Sequence, residues 1–537
     1  MKFFRNSAVA GGAGIPARRP AMRRSGVSLW VIAVCALIML AIAGLVGAVA
    51  GLGSIPLVML LAGPLFIGPL VFIVSTRQML PLMFIFIFLI QGTVSNYFNL
   101  RITTWMASGI GFLFLLRAFF ELSAGRSYQG APRTASGGSA GVMTCCALYL
   151  ACFFFSLALG SGTPAQIISA VRFGVPMWGV LLALYWFEWT EKEIERLFLI
   201  VVVAAMLQLP LVAYQHFFEI DAAGAWDAVV GTFGYGMSAI LTIFCLTAAL
   251  YALARWRRGI LPAWITALVC AVTLAIIVLG EVKAVAIWVP LGLFIIFRRK
   301  ILSSATTFIL YGTFIVVFVG GVFAAYQALY WGEAVKATTV EEGIDQSGGY
   351  FFDTEAINYR TGEVSRAASL ALWINDPVPG ALERLVGYGP GASATGANTG
   401  KGVVAARYGI LSINATVIAQ LLWDVGLVGT FSYLTIFVFG CFTALRYVKR
   451  GGSSPGAEAV VDACLAALVL LATTLIYNRA LLDEPTVQLL FLFCLGCIVQ
   501  YARYHNPHAR LAGAAGRAAP RGAAIAPLHA VRGGPVH

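Results

Sequence analysis

Apolar runs of about 17–25 residues recur along almost the whole chain, separated by short polar or basic turns. A helix of this length can cross the hydrocarbon core of a bilayer. The pattern therefore predicts an all-α polytopic membrane protein with about fourteen transmembrane helices. The predicted spans are 28–50, 55–74, 79–95, 102–120, 141–160, 165–187, 197–215, 234–254, 261–279, 283–297, 303–325, 424–445, 457–477 and 486–502.

One segment, 326–409, is too polar for a membrane span and too long for a turn. Within it, "TGEVSRAASLALWIND" has the spacing of a helix, so we expect a small, mainly helical subdomain. The next stretch, "LSINATVIAQLLWDVGLVG", is amphipathic and predicts a helix lying along the membrane interface. The predicted division is a basic tail (1–27), helices one to eleven (28–325), the loop subdomain (326–409), the interfacial helix with helices twelve to fourteen (410–502) and a disordered tail (503–537).

Composition and charge support a membrane protein and suggest its orientation. Hydrophobic residues make up 60% of the chain, charged residues only 11%, and the mean hydropathy is +0.86. Basic clusters at 255–258, 298–300 and 446–450 and in both tails predict cytoplasmic termini, because basic loops stay on the cytoplasmic side. The segment 326–409 then faces the other side. This bias and contact with anionic lipid explain the net charge of +13, so no nucleic-acid partner is expected.

The cysteines and histidines give no sign of a metal site. All ten cysteines fall in predicted helices without metal-ligand spacing, which is typical of small core residues. His216 is the only histidine outside the C-terminal tail. We therefore expect neither a metal nor a cofactor.

The stretch "GYGPGASATGANTGKG" (387–402) resembles a phosphate-binding loop at first sight. Its Gly396-to-Lys401 spacing is one residue short of that motif, and Gly402 stands where Ser or Thr should bind magnesium. Two interpretations remain open. The stretch is either a solvated surface loop or, with Lys401 or Arg407, the entrance for a polar or anionic substrate.

Charged residues at the edge of the membrane are candidates for substrate binding, because charge is costly there. Arg172 lies in the outer half of the sixth predicted span, where snorkelling or a structural ion pair is the alternative. Glu281 and Lys283 occupy a tight turn between two spans, where a local ion pair is the alternative.

Two further arginines, Arg360 and Arg366, lie on the long polar segment, and arginine suits a bidentate grip on phosphate oxygens. A solvated helix face is the alternative. Glu363 lies beside them and, with Asp353 and Glu355, is a candidate general base. Together the cations predicted on this side suggest an anionic ligand.

Several stretches resemble the O-antigen ligase/polymerase superfamily, the integral-membrane glycosyltransferases of bacterial surface polysaccharides. They are "LGEVKAVAIWVPLGLFIIF" (279–297), "RTGEVSRAASLALW" (360–373), "LVGYGPGASA" (385–394), "LLWDVGLVGTFSYL" (421–434) and "WDAVVGTFGYG" (226–236). The similar core runs from about residue 160 to 450, and no single motif in it is diagnostic.

The resemblance implies transfer of a glycan from a polyprenyl-pyrophosphate carrier to a hydroxyl of a growing acceptor glycan, without metal or nucleotide, at the periplasmic face of the inner membrane. It places Arg172 and Lys283 at the pyrophosphate, and Arg366, with Arg360 behind it, at phosphate or the reacting sugar. It also implies that the stretch from Gly387 to Gly391, with Tyr388 and Gly389, shapes the loop over the cleft. A flippase and a chain-length regulator of the same pathway are the further partners implied.

One departure separates the chain from ligase-type members, which carry a histidine before the "GLVG" segment. Here that neighbourhood reads Asn414-Ala415-Thr416, so a polymerase of exopolysaccharide, capsule or O-antigen repeat units is favoured. An O-antigen-ligase-like transferase remains an alternative. A secondary transporter or flippase for a lipid-linked glycan is the rival from another class.

Overall fold

The structure is a computed structural model. It describes residue 47 and residues 74–504 apart from 99, 101–102, 124–138, 220–228, 235, 331–347, 350, 397–398 and 452. The chain divides into two compact units, Met1–Leu65 and Phe66–His537. All described residues except Gly47 belong to the second unit. The predicted spans 28–50 and 55–74 lie outside the described residues almost entirely.

The described part is helical apart from one short hairpin. The helices before the long polar segment are α1 (Thr76–Tyr97), α2 (Thr103–Ser123), α3 (Ala140–Leu159), α4 (Pro164–Gly174), α5 (Trp178–Trp186), α6 (Glu191–Glu219), α7 (Ser238–Arg257), α8 (Ala263–Leu279), α9 (Val285–Ile301) and α10 (Ala305–Tyr330). The later elements are α11 (Arg366–Asn375), α12 (Ala381–Val386), β1 (Thr395–Gly396), β2 (Gly400–Lys401), α13 (Val403–Arg407), α14 (Val417–Asp424), α15 (Gly426–Arg450), α16 (Pro455–Tyr477), α17 (Ala480–Asp483) and α18 (Pro485–Tyr504).

Among the described residues, nine helices are long and apolar enough to cross a membrane. The pair α4 and α5, bent by 42°, makes ten if it is one broken span. An apolar helix lies at each of the twelve predicted spans from 79–95 onward, although α8 and α9 have only 17 residues each. The chain is therefore membrane-embedded and all-α.

The centre of the bundle is formed by α7, α16 and α18, whose residues are buried almost all round by other helices. Helices without a polar face are expected either in such a core or against lipid. The helix α10 is the opposite case, because no residue of its most apolar window is buried. A uniformly apolar exposed surface of this kind suits contact with lipid.

The basic turns gather at one end of the bundle through buried ion pairs. Asp462, near the start of α16, pairs with Arg258 and with Arg298, the latter at 2.8 Å. At the other end of α16, Tyr477 packs against Phe351 of the long polar segment, with ring centroids 5.8 Å apart. The basic turns and the polar segment therefore lie at opposite ends of the bundle.

The helix predicted within "TGEVSRAASLALWIND" is present as α11. It begins after Ser365, whose hydroxyl accepts a hydrogen bond from the N–H of Ala368 at 3.0 Å. One apolar face of α11 carries Trp373 into a small cluster separate from the main core. The buried members of this cluster are Trp373, Ala392, Val404, Ile413, Leu422 and Trp423.

The structure differs from the prediction of an interfacial helix after the polar segment. Within that stretch α14 covers only Val417–Asp424, residues 426–429 already belong to α15, and seven of the eight residues of α14 are buried. The amphipathic pattern arises because α14 packs against α11 on one side and against α15 and α16 on the other. Its polar residues, Gln420 and Asp424, face a cavity instead of solvent.

Candidate functional site

Two cavities lie where the polar segment meets the ends of the helices. The first has a volume of about 380 Å³ and the second about 470 Å³. Both are lined by Arg479, Asp483 and Glu484, so the connection between α16 and α18 forms their common wall.

The shape of this common wall follows from its sequence, "NRALLDEP". Asn478 ends α16 in an extended conformation, and its side-chain oxygen accepts the N–H of Ala480 at 3.1 Å. The single turn of α17 follows. Pro485 is the first residue of α18, where a backbone N–H would have no partner within the helix, so proline costs no hydrogen bond there. Three charged residues are thereby held in one tight connection between two buried helices.

Arg479 and Asp483 are fixed by their own contacts. Arg479 Nε donates to Asp483 Oδ2 at 3.0 Å, and Nη1 donates to Asn414 Oδ1 at 3.2 Å. The other oxygen of Asp483 accepts from Gln420 Nε2 at 3.2 Å. Both carboxylate oxygens of Asp483 are therefore occupied.

Glu484 is next in the chain but differs in its contacts. Among the described residues, no hydrogen bond or ion pair reaches its carboxylate, which is half-buried and borders both cavities. Burial and, to a lesser extent, the charge of Asp483 raise the pKa of Glu484 from 4.5 to about 7, while Arg172 and Arg479 offset part of this rise. A carboxyl group with this pKa can exchange a proton near neutral pH.

Arg172 lies in the wall of the first cavity, at the last turn of α4. Helix α4 ends shortly after Arg172 because Pro176 has no backbone N–H to donate to the next helical hydrogen bond. Helix α5 then starts at an angle of 42° to α4. Arg172 Nη2 donates to Thr104 Oγ1 at 2.8 Å, and the guanidinium lies 4.0 Å from the ring centroid of Trp105. Its Nε has no hydrogen-bond partner among the described residues. This cation is oriented but retains a free donor.

The two cavities differ in chemical character. The first cavity combines seven aromatic and aliphatic side chains with polar and charged ones that include Arg172, Gln166, Gln420 and Asp424; the seven are Trp105, Tyr149, Phe153, Phe173, Leu421, Val425 and Leu482. The second is lined mainly by polar and charged side chains: Glu363, Arg366, Ser412, Asn414, Asn478, Arg479, Asp483 and Glu484. An amphipathic group fits the first cavity, and a hydrophilic group fits the second.

The glycine-rich stretch wraps around a buried carboxylate, that of Asp424. The N–H of Gly391 donates to Oδ2 at 3.0 Å and the N–H of Ser393 donates to Oδ1 at 2.9 Å. Burial raises the pKa of Asp424 to about 6, and these N–H groups lower it in part. The backbone of Gly387 lies against the end of α14, and a Cβ added there would be 2.4 Å from the carbonyl oxygen of Asp424. Gly387 also has a φ of 81°, which favours glycine. The glycines thus serve packing around α14, and Gly391 reaches the wall of the first cavity.

Three predicted substrate-binding residues, Tyr388, Gly389 and Arg407, do not line either of the two cavities. Arg407 pairs with the buried Asp376 at 3.0 Å and lies 5.2 Å from the ring centroid of Tyr388. Burial raises the pKa of Tyr388, and Arg407 lowers it in part. Tyr388 and Gly389 line a narrow crevice beside Gly160. These contacts hold the loop in place.

Four other predicted site residues do not line either of the two cavities. Lys401 is exposed, and its Nζ donates to the carbonyl oxygen of Gly409 at 2.7 Å. Arg360 is exposed in the turn before Glu363. Glu281, with φ of 55°, and the exposed Lys283 occupy the turn between α8 and α9.

Of the predicted residues, Arg172 lines the first cavity, and Glu363 and Arg366 line the second, on either side of the common wall. Sequence reasoning missed Asp424 and the whole common wall. A signal was present, since "NRALLDEP" places three charged residues at the end of a predicted span, where charge is rare without a function.

Among the described residues, no group of three or more His, Cys, Asp or Glu is placed to hold a metal ion. Comparison with models of known protein families gives no match, and no curated protein is significantly similar to this chain. The site itself is therefore the basis for a functional proposal.

Proposed function

We propose that the protein is an integral-membrane glycosyltransferase. In this proposal it transfers oligosaccharide repeat units from a polyprenyl-pyrophosphate carrier to the growing glycan of an exopolysaccharide, capsule or O-antigen. The enzyme lies in a bacterial inner membrane with both termini in the cytoplasm, and the joined cavities open to the periplasm. The further partners are membrane lipid, the flippase that supplies the carrier and a regulator of chain length.

The observation that carries the proposal is the meeting of two unlike cavities at one charged wall. A transferase must hold two substrates with their reacting atoms in contact, because most of the rate gain comes from fixed proximity. The lipid-linked donor is amphipathic, as the first cavity is. The acceptor is a hydrophilic sugar chain, which suits the second cavity.

Arg172 is suited to the pyrophosphate of the donor. The guanidinium is held by Thr104 and by the ring of Trp105, and the residue lines the cavity in which the phosphate oxygens would lie. Charge develops on the pyrophosphate as the glycosidic bond breaks, and a fixed cation lowers the energy of that transition state. Arg479, oriented by Asp483 on the common wall, provides a second cation from the other side. Apolar helix surface beside the aromatic lining accommodates the prenyl chain.

Two observations support the periplasmic placement and the polymerase type. The basic turns lie at the end of the bundle opposite the polar segment, as expected if that segment is outside the cytoplasm. Asn414 and Ala415 stand in the neighbourhood where ligase-type proteins have a histidine, and both line the second cavity. In this proposal the position belongs to the reacting region, with an amide in place of an imidazole.

One observation favours a different function, transport of a lipid-linked glycan. The bend of 42° between α4 and α5 lies next to the first cavity, and broken helices at binding sites are typical of secondary transporters. A transporter moves its substrate unchanged, so it leaves the carrier pyrophosphate bond intact. The two functions therefore differ in the fate of the lipid-linked unit.

The test is a deletion of the gene in its source bacterium, complemented with the wild type, Arg172→Ala, Arg366→Ala or Lys401→Ala. Gel analysis measures polymer, and accessibility to a glycosidase in spheroplasts measures the side on which lipid-linked units accumulate. We expect the deletion to leave single units on the periplasmic face and the two arginine variants to restore little polymer. Lys401→Ala reports whether the glycine-rich loop takes part.

A matched control is Arg450→Ala, which removes an exposed cation at the end of α15. It should restore polymer as well as the wild type does. Units retained on the cytoplasmic face would contradict the transferase and favour the transporter. Normal polymer with Arg172→Ala and Arg366→Ala would contradict the assigned site.

A further inference from the structure

We propose that the second cavity is the acceptor subsite and that the Glu484 carboxylate takes the proton from the attacking acceptor hydroxyl. This inference rests on the transferase function proposed above. It assigns the two substrates to separate cavities and gives a catalytic role to a residue of their common wall.

The lining of the second cavity suits a sugar chain. Its volume of about 470 Å³ lies in the range of roughly 300–1,000 Å³ typical of ligand sites. Ser412, Asn414 and Asn478 offer neutral hydrogen-bonding groups, and Arg366 and Glu363 offer charged ones. The contacts that position sugar hydroxyls are therefore available, and the aromatic lining expected around a prenyl chain belongs to the other cavity.

Four carboxylates lie at the cavities, and their contacts separate them. Asp424 and Asp483 each have both oxygens engaged by donors of the protein. Glu363 is exposed and borders only the second cavity. Glu484 borders both cavities, and no hydrogen bond or ion pair from the described residues reaches its carboxylate. It is therefore the carboxylate placed between a donor in one cavity and an acceptor in the other.

The surroundings of Glu484 also suit proton uptake. Burial raises its pKa to about 7, so the group is partly deprotonated at neutral pH and is basic enough to accept a proton. The charges that act on its carboxyl group are those of Asp483, Arg172 and Arg479. The other charged residues that line the cavities with it are Asp424 in the first and Arg366 and Glu363 in the second.

The step balances without a further reactant. The acceptor oxygen forms a bond to the anomeric carbon while its proton moves to a Glu484 oxygen. The bond between the anomeric carbon and the pyrophosphate oxygen breaks, and its electron pair leaves with the polyprenyl pyrophosphate. Attack from the second cavity on a carbon held in the first gives inversion at that carbon. Glu484 then loses the proton to water.

The experiment compares wild type, Glu484→Gln, Glu484→Asp and the control Glu188→Gln in membranes of the deletion strain, which hold its lipid-linked units. Glu188 is exposed near the start of α6, at the basic end of the bundle. Polymer formation is followed over time, and binding of undecaprenyl pyrophosphate to each purified protein is titrated separately. Sodium azide is added in a second series, because azide is a nucleophile with no proton to lose.

We expect Glu484→Gln to slow polymer formation by roughly 10²–10⁴-fold, the usual effect of removing a general base, with undecaprenyl pyrophosphate bound as tightly as by the wild type. Azide should restore consumption of the lipid-linked unit by Glu484→Gln and give a glycosyl azide of inverted configuration. Glu484→Asp should retain part of the activity, and its rate should still rise with pH. For the wild type, the rate should fall about tenfold per pH unit below about 7.

The acceptor subsite has its own variant, Ala415→Phe, which fills the second cavity from its wall. It should weaken the use of acceptor glycan and leave the binding of undecaprenyl pyrophosphate unchanged. If Ala415→Phe weakened acceptor use and carrier binding equally, the assignment of the two substrates to separate cavities would be wrong. Polymer formation by Glu484→Gln within about threefold of wild type, loss of its donor binding, or failure of azide to restore consumption would overturn the role of Glu484. Failure of the wild type itself to bind the carrier or make polymer would instead overturn the proposed function.

Discussion

Arg479 Nε and Asp483 Oδ2 lie 3.0 Å apart on the wall shared by the two cavities. This ion pair spans one turn and uses the carboxylate that could otherwise compete with Glu484 for a substrate proton. Asn414 accepts from Arg479 Nη1, and Gln420 donates to the other oxygen of Asp483. The result is a fixed cation beside Glu484, whose carboxylate has no hydrogen bond or ion pair from the part of the chain that the structure describes.

The role assigned to Arg172 predicts a loss of carrier binding. Arg172→Ala should weaken binding of undecaprenyl pyrophosphate by about 10–100-fold, because a hydrogen bond to a charged group contributes about 1.5–3 kcal/mol. Binding of undecaprenol, which lacks the pyrophosphate, should change little. Native mass spectrometry in detergent measures both affinities, with Arg450→Ala as the control. Equal weakening for the two lipids would show that Arg172 supports the fold instead of holding phosphate.

Glu484 predicts a change in stability with pH. Its pKa is raised to about 7 in the folded chain, so the unfolded chain binds fewer protons between about pH 4.5 and 7 and stability falls as the pH rises through this range. Glu484→Gln removes the buried charge. It should stabilise the protein by about 1–3 kcal/mol at pH 8, allowing for partial exposure, with the gain vanishing near pH 4.5.

Thermal unfolding in detergent at the two pH values measures this effect, and Glu188→Gln is the exposed control. A gain at the acidic pH as large as at the alkaline pH would contradict a buried, titrating Glu484. A loss at both would mean that the carboxylate has a structural partner.

Arg407 is predicted to stabilise the loop subdomain. It pairs with the buried Asp376 and packs over Tyr388, Tyr408 and Trp423. Arg407→Ala leaves Asp376 buried without its cation, so we expect a loss of roughly 2–4 kcal/mol, somewhat below the value for a fully buried pair. Arg407→Lys should recover part of the loss, because it keeps the charge but not the planar contact. An unchanged melting temperature for Arg407→Ala would contradict this role.

The contact between α3 and the glycine-rich stretch offers a matched pair of variants. A Cβ at Gly160 would lie 2.8 Å from the carbonyl oxygen of Tyr388, whereas a Cβ at Gly162 meets only ordinary contacts at 3.7 Å. Gly160→Ala should therefore destabilise the protein by about 1–3 kcal/mol through overpacking. Gly162→Ala should change stability by less than about 0.5 kcal/mol. Similar melting temperatures for the two variants would contradict the close approach of Gly389 to α3.

Hydropathy alone was enough to place the apolar helices from α1 onward, since the length and apolar character that a bilayer demands are properties of a local window. The amphipathic pattern also led to the prediction that α14 is exposed at the membrane interface, whereas most of its residues are buried. Its amphipathic pattern is the same whether the polar face meets solvent or a cavity, and only tertiary packing decides between them.

The site was less accessible to sequence reasoning. Arg172 could be found because charge near an apolar run is unusual, and Arg366 because arginine on the polar segment suits a grip on phosphate oxygens. The pairing of Arg407 with Asp376 depends on residues 31 positions apart, and Asp424 binds N–H groups 33 and 31 positions away in the chain. Such partners follow from the fold and not from local spacing. Glu484 was overlooked because it lies in a short connection between two spans, and only the long segment 326–409 stood out by its length.

The most direct test of the account uses purified protein in lipid vesicles loaded with lipid-linked repeat units extracted from the deletion strain. The measurement is the length distribution of the glycan and the release of polyprenyl pyrophosphate, without added nucleotide. The account predicts that wild-type protein lengthens the glycan and releases one carrier pyrophosphate for each bond formed, and that Glu484→Gln does neither. Intact lipid-linked units that merely change sides of the vesicle membrane would contradict it.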